Sequence, residues 1–148
     1  MKENSENLVP LTNIQKIITK RMLHSKQQKP CFYMSAKADV TRLLKIRPKL
    51  RKKLSAKITT NSFYILAMAL AAEQFPLIAG KIDGDMVRIS ESINVGFAVS
   101  APQGLVVPVM KNAHQLTLAQ VAKQEALLTS KARSNTLTLE EMENENLA

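Results

Sequence analysis

The chain has 148 residues, enough for one domain with a real core, and 45% of them are apolar. Its mean hydropathy of −0.10 is that of a soluble globular protein, and the longest apolar run, Phe63 to Ala72, falls short of the about 20 residues that cross a bilayer. Cys31 is the only cysteine, which excludes an internal disulfide, and the start M-K-E-N-S-E-N carries no apolar stretch of the secretory type, so a cytoplasmic protein without membrane association is expected.

The net charge of +9 is unevenly spread. Nine basic residues and one acid, Asp39, lie between Lys37 and Lys57, whereas Glu140, Glu141, Glu143 and Glu145 stand in the last nine residues with no base. A basic block can meet nucleic acid, an acidic protein or a polyanionic small molecule. Nucleic acid is the weakest of these partners, because aromatics are only 4%, Trp is absent and no nucleic-acid motif occurs.

Residues 1–9 are polar and read as a disordered tail or linker end. Pro10 to Gln27 has helical spacing at Ile14, Ile17, Ile18, Arg21 and Met22, with Thr12 as cap and Lys29-Pro30 as stop. Phe32 to Val40 alternates apolar and polar residues, the pattern of a strand with one face buried. Thr41 to Leu54 returns to helical spacing, with Leu43, Leu44, Ile46, Leu50 and Leu54 inside, basic residues outside and Pro48 expected to kink or interrupt it. Thr60 or Asn61 caps the next helix, Ser62 to Gln74, which is apolar all round and reads as a buried central helix closed by Phe75-Pro76. An extended stretch near Leu77 to Ile82 turns at Asp83-Gly84 and returns over Met86 to Ile89.

Asn94 to Pro108 reads N-V-G-F-A-V-S-A-P-Q-G-L-V-V-P, two runs of small and β-branched residues around a Pro-x-Gly turn. Strands of about Asn94–Ser100 and Leu105–Val109 are expected there. Thr117-x-x-Gln120 is a capping box opening a helix to about Arg133, and Thr138-x-x-Glu141 is a second box opening a further turn. Helices mixed with strands in this order give an α/β domain with a partly antiparallel sheet.

From residue chemistry alone no catalytic site and no metal site can be assembled. The four glycines are scattered, no Cys/His set has metal spacing, and His24 and His114 have no evident orienting carboxylate. Cys31, beside Pro30, reads as a small packed residue.

Five segments, taken together, resemble one family, the catalytic domain of the dihydrolipoamide acyltransferases of 2-oxo acid dehydrogenase complexes. They are the helix bearing Lys20, Arg21, Met22 and Ser25; A-D-V-T at Ala38 to Thr41; K-I-T-T-N-S-F at Lys57 to Phe63; the Asn94–Pro108 segment with its extension Lys111-Asn112-Ala113; and K-A-R-S-N-T-L-T-L-E-E-M at Lys131 to Met142. The resemblance runs in register over residues 12–142. It implies a fold like chloramphenicol acetyltransferase, a mixed β-sheet flanked by helices, here with residues 10–142 as a catalytic domain incomplete at its C-terminus and 143–148 as a divergent acidic tail. It implies homotrimers packed into cages and transfer of an acyl group, acetyl in a pyruvate dehydrogenase complex, from a lipoyl group on another domain or chain to coenzyme A. The partners so implied are a lipoyl domain and the decarboxylase and dihydrolipoamide dehydrogenase components.

In the family a His-x-x-x-Asp-Gly motif supplies the base and a T-I-S-N-like strand the oxyanion donor, and this sequence contains neither. The expectation is a chain truncated before the catalytic residues and inactive alone, or else an assembly subunit joining trimers of a full-length relative. What carries over is the coenzyme side: Arg21, for an anion or a trimer contact, and Lys57, Thr59 and Ser62 at a helix start that suits a phosphate or the pantetheine arm. Helix capping is the structural alternative for those last three positions.

Overall fold

The computed structural model describes residues 9–11, 13–28 and 32–148. Thr12, Lys29, Pro30 and Cys31, invoked above as a cap, a helix stop and a packed thiol, lie outside the described residues, as do most of residues 1–9. The chain forms two compact units, Met1–Ala38 and Asp39–Ala148.

In the first unit α1 spans Asn13–Gln28, and Ile17, Ile18 and Met22 are exposed. Phe32 to Ala38 is irregular, so the expected strand from Phe32 to Val40 does not form, and Phe32 and Met34 are more than 80% exposed. Alternation gives a strand two faces, but a strand is held by its neighbour's hydrogen bonds. Among the described residues no strand pairs with this segment.

The second unit opens with Asp39, whose Oδ1 accepts from the Thr41 N–H at 2.9 Å and starts α2, Thr41–Leu54. Hydrogen bonding from the Thr41 side chain first, and from this backbone N–H second, holds the Asp39 carboxyl below its usual value. Pro48 sits inside α2, and of the two expected outcomes, a kink or an interruption, the interruption does not occur. Leu43, Leu50 and Leu54 are half-buried and hold the helix in place, while Leu44 and Ile46 are exposed rather than inside. The helix ends at Ser55 in the left-handed conformation, φ 47°.

Helix α3 spans Thr60–Gln74, and its cap is Thr59, one residue before the expected Thr60 or Asn61. Ser62, Ile65, Ala69 and Ala72 form its buried stripe, at the spacing of one helix face. Tyr64 and Leu70 on other faces are about half exposed, so the helix is covered on one side, not all round. The elements that reach it, α4 (Leu118–Arg133) and the 3-10 turn Ala113–Gln115, explain which side.

Phe75 ends α3, a 3-10 turn covers Pro76–Ala79, and β1 (Lys81–Asp83) pairs antiparallel with β2 (Met86–Arg88). Next come β3 (Val95–Gly96), β4 (Val99–Ala101), β5 (Gly104–Val106) and β6 (Val109–Met110). β4 pairs with β5, from Ala101↔Gly104 to Val99↔Val106, and β3 with β6 as Gly96↔Val109 and Val95↔Met110. The register is the same throughout, so the two expected strands are one hairpin broken in the middle. Pro108 stands at the break and has no N–H to give, although its carbonyl still accepts from Phe97 at 3.1 Å. The tight turn at Pro102-Gln103 needs Gly104 at φ 122°.

The buried face of this hairpin, with Val95, Phe97, Val99 and Met110, packs on Ile65 and Ala69 of α3 and on Val121 and Leu128 of α4. A second cluster of Ala56, Ile58 and Ala122, with Leu50 and Leu54 against it, fixes the end of α2 to the start of α3. Residues 144–147 return to the sheet: Gly96 donates to the Leu147 carbonyl at 2.7 Å, and Val95 pairs with Leu147 in parallel. β3 therefore has an antiparallel neighbour on one side and a parallel one on the other. Both capping boxes form, Thr117 with Gln120 and Thr138 with Glu141, and the second opens a 3-10 turn, Glu140–Met142.

Candidate functional site

The loop from Ser55 to Thr59 carries the predicted site into a cleft. Ile58, wholly buried, anchors the loop, and its neighbours Lys57 and Thr59 face the opposite way at the cleft wall. The cleft has a volume of about 660 Å³ between the N-terminus of α3 and one side of α4. From α4 and its end come Glu125, Thr129, Ser130, Arg133 and Ser134. Lys57 and Arg133 are exposed, whereas Glu125 is 7% exposed. The cleft thus has two cations on its solvent side and a carboxylate in its wall.

Thr59 and Ser62 form a reciprocal cap: the Ser62 N–H donates to Thr59 Oγ1 and the Thr59 N–H to Ser62 Oγ, each at 3.0 Å. Both hydroxyls also reach Glu125. Thr59 Oγ1 lies 2.8 Å from Oε1 and 2.9 Å from Oε2, and Ser62 Oγ lies 2.5 Å from Oε2. Asn61 Nδ2 adds a longer contact of 3.4 Å to Oε1. Such short O–H···O⁻ bonds are those of a carboxylate held by neutral donors. α2 braces the same corner, since Arg47 donates to Thr60 Oγ1 at 2.8 Å and Arg51 Nε to the Ile58 carbonyl at 2.6 Å. Arg47 Nε is buried there without an acceptor.

Of the residues singled out from the sequence, Lys57, Thr59 and Ser62 are brought together, with Lys57 and Thr59 lining the cleft and Ser62 buried behind it. Arg21 is exposed on α1 in the other unit. His24 is likewise exposed on α1, and His114 is half-buried in a different, smaller cleft beside Glu73 and Glu91. Among the described residues no group of three or more His, Cys, Asp or Glu is placed to hold a metal ion, and no helix is long and apolar enough to cross a membrane.

Glu125 and Arg133 escaped the sequence reading. The signal for Glu125 was its spacing, because it shares the helix face of Val121, Leu128 and Ala132 and so sits on the buried stripe of α4. The arrangement can hold an anion at Lys57 and Arg133 and hydrogen-bond a polar ligand through the α4 hydroxyls.

This α/β architecture is that of acyltransferase catalytic cores. The family of 2-oxoacid dehydrogenases acyltransferase (catalytic domain) matches residues 3–148, and the chain belongs to it. It is 39% identical to the dihydrolipoyllysine-residue acetyltransferase component of the pyruvate dehydrogenase complex of Rickettsia felis, over 92% of this chain and 34% of that protein. It is 32% identical to the succinyltransferase component of the 2-oxoglutarate dehydrogenase complex of Haemophilus influenzae, over 93% of this chain and 35% of that protein. The chain spans about a third of the length of these relatives. Among solved structures, the probable dihydrolipoamide acetyltransferase of Listeria monocytogenes superposes with a TM-score of 0.88 at 30% identity, covering 96% of this chain and 62% of that one. The cubic core of a pyruvate dehydrogenase multienzyme complex gives 0.87 at 29%, covering 94% and 59%.

Proposed function

We propose that this chain forms the coenzyme A-holding part of an acyltransferase catalytic domain that passes an acyl group, acetyl by its relatives' names, from a dihydrolipoyl thiol to coenzyme A within a trimeric assembly. The observation that carries the reading is the cleft beside α3, where Lys57 and Arg133 flank Thr129, Ser130 and Ser134. Two cations answer the phosphates, and hydroxyls at helical spacing answer a polar arm. In the transfer the coenzyme thiolate attacks the thioester carbonyl, a carbon–sulfur bond forms, the bond to the lipoyl sulfur breaks, and that sulfur takes a proton. The base and the oxyanion donor then come from residues outside these 148, since neither His24 nor His114 lines the cleft and no His-x-x-x-Asp-Gly occurs in the sequence.

The test is calorimetric titration of the polypeptide with coenzyme A. Lys57→Ala and Arg133→Ala should each weaken binding by about tenfold, the loss of one charge-assisted contact. Coenzyme A affinity indifferent to both substitutions, or no binding at all, would refute the assignment. The 148-residue polypeptide alone should give no coenzyme-dependent thiolysis of acyl-dihydrolipoamide, and turnover without an added partner would refute the division of labour.

A further inference from the structure

β3 and β4 form one line of chain whose two sides are partnered differently. On the inner side β6 and β5 pair with it, and the Phe97 N–H donates to the Pro108 carbonyl. On the outer side the Gly96 N–H donates to the Leu147 carbonyl, and the Asn94 carbonyl accepts from the Leu147 N–H at 3.2 Å. Backbone groups alternate from side to side along a strand, so the even residues point outward. The Gly96 carbonyl and the backbone groups of Ala98 and Ser100 therefore face the outer side, past the reach of residues 144–147. Among the described residues no strand lies there, since β5 is the one neighbour of β4, and Ala98 and Ser100 are exposed.

A bare edge is a template for a further strand, and edges that stay bare in solution carry charges, lysine above all. This one has no such guard: no charged residue occurs from Ser92 to Met110, in a chain that is 22% charged. The exposed pair of β1 and β2, by contrast, carries Lys81, Asp83 and Arg88. Solved acyltransferase cores also hold more polypeptide, for this chain covers 62% of one and 59% of another.

We propose that the outer edge from Gly96 to Ser100 is a strand-addition surface, and that its occupant is an extended segment from outside these 148 residues, running parallel to β4 and end to end with residues 144–147. The Val95↔Leu147 register defines that segment. Its first residue stands opposite Phe97, donating to the Gly96 carbonyl and accepting from the Ala98 N–H. Its third stands opposite Val99, donating to the Ala98 carbonyl and accepting from the Ser100 N–H. Leu147 packs on the same core as Val95, so the first and third side chains follow it to the buried face of Phe97 and Val99 and are apolar. The second, level with Ala98, faces out, and proline is barred from the first and third positions. The inference stands apart from the coenzyme A reading, because no residue of this edge lines the cleft of Lys57 and Arg133.

The probe is an N-acetylated, C-amidated hexapeptide alternating valine and threonine, added in millimolar amounts to the unaltered chain. Amide exchange followed by NMR should be fast at Ala98 and Ser100 in the chain alone and slow about tenfold with the peptide, the cost of opening one hydrogen bond. Exchange at Phe97 and Val99, already paired inward, should change little. A nitroxide on the N-terminus of the peptide should broaden the Gly96 and Ala98 signals, and one on its C-terminus those of Ser100 and Gln103. The reverse pattern would mean antiparallel addition and overturn the assigned register. Exchange at Ala98 and Ser100 unmoved by the peptide, or slowed as much by a version with proline in place of valine, overturns the surface itself. Protection of both amides in the chain alone, with a dimer in sedimentation, gives the edge to a second copy and refutes the proposed occupant.

Discussion

Asn94 and Asn146 grip each other in both directions: the Asn94 N–H donates to Asn146 Oδ1 at 2.8 Å, and the Asn146 N–H donates to the Asn94 carbonyl at 3.0 Å. The Asn94 side chain, 6% exposed, extends the grip by donating to the Asn144 carbonyl at 2.8 Å and accepting from the Asn112 N–H at 3.0 Å. One buried amide thus joins the start of β3, the turn after β6 and residues 144–147.

Asn94→Ala should therefore destabilise by about 1–2 kcal/mol, since it removes the partner of the part-buried Asn112 N–H and of the Asn144 carbonyl at once. Urea unfolding measures the loss, and amide exchange should show residues 144–147 losing protection before the hairpin does. A cost below about 0.5 kcal/mol would mean that water replaces both bonds.

Thr59→Ala removes the cap of α3 and one donor to Glu125, and about 3 kcal/mol of destabilisation is expected from the two losses. Thr59→Ser keeps the hydroxyl and should stay within about 0.5 kcal/mol of the parent. Thermal denaturation of the two variants side by side makes the comparison, and equal losses would show that the methyl group, not the hydroxyl, matters.

Glu141 accepts from Lys131 Nζ at 2.6 Å and from the Thr138 N–H at 3.0 Å, and these bonds hold its carboxyl below the ordinary glutamate value. With the folded pKa lower than the unfolded one, the contribution is complete above about pH 4.5 and fades as pH falls from there through the folded value. Lys131→Met should move the Glu141 titration, followed by carboxyl NMR, back toward the ordinary value and flatten stability in that acid window. A titration untouched by the substitution would assign the shift to Thr138 instead.

Pro48 leaves the Leu44 carbonyl without its helical partner in the middle of α2. Pro48→Ala should raise stability by about 1–2 kcal/mol, the helix-interior cost of proline less the freedom regained by the unfolded chain. An unchanged or lower urea midpoint would show that the helix has already absorbed the defect.

Local signals were the legible ones. The boxes at Thr117 and Thr138 span four residues each, so their hydrogen bonds are written where they act. The Asn94–Pro108 hairpin was equally plain, because a Pro-x-Gly turn fixes the register of everything beyond it. Phe32 to Val40 misled for the opposite reason, since its alternation describes a strand but names no neighbour. The site was half legible: Lys57, Thr59 and Ser62 lie within six residues, whereas Glu125 meets Thr59 across 66 positions of chain. No short-range pattern contains that pairing, and only the helical spacing of Glu125 among buried residues hinted at it.

The parallel pairing beside β3 also sets an order of events in time. Asn94 is synthesised 52 residues before Asn146, an interval of about 3–10 s at about 5–20 residues per second. During those seconds the hairpin from β3 to β6 can close, but the amide at its root has no second partner to hold. The pairing of β3 with β6 is thus complete in sequence well before its parallel neighbour exists, and the second side of β3 can be covered only after residues 144–147 arrive.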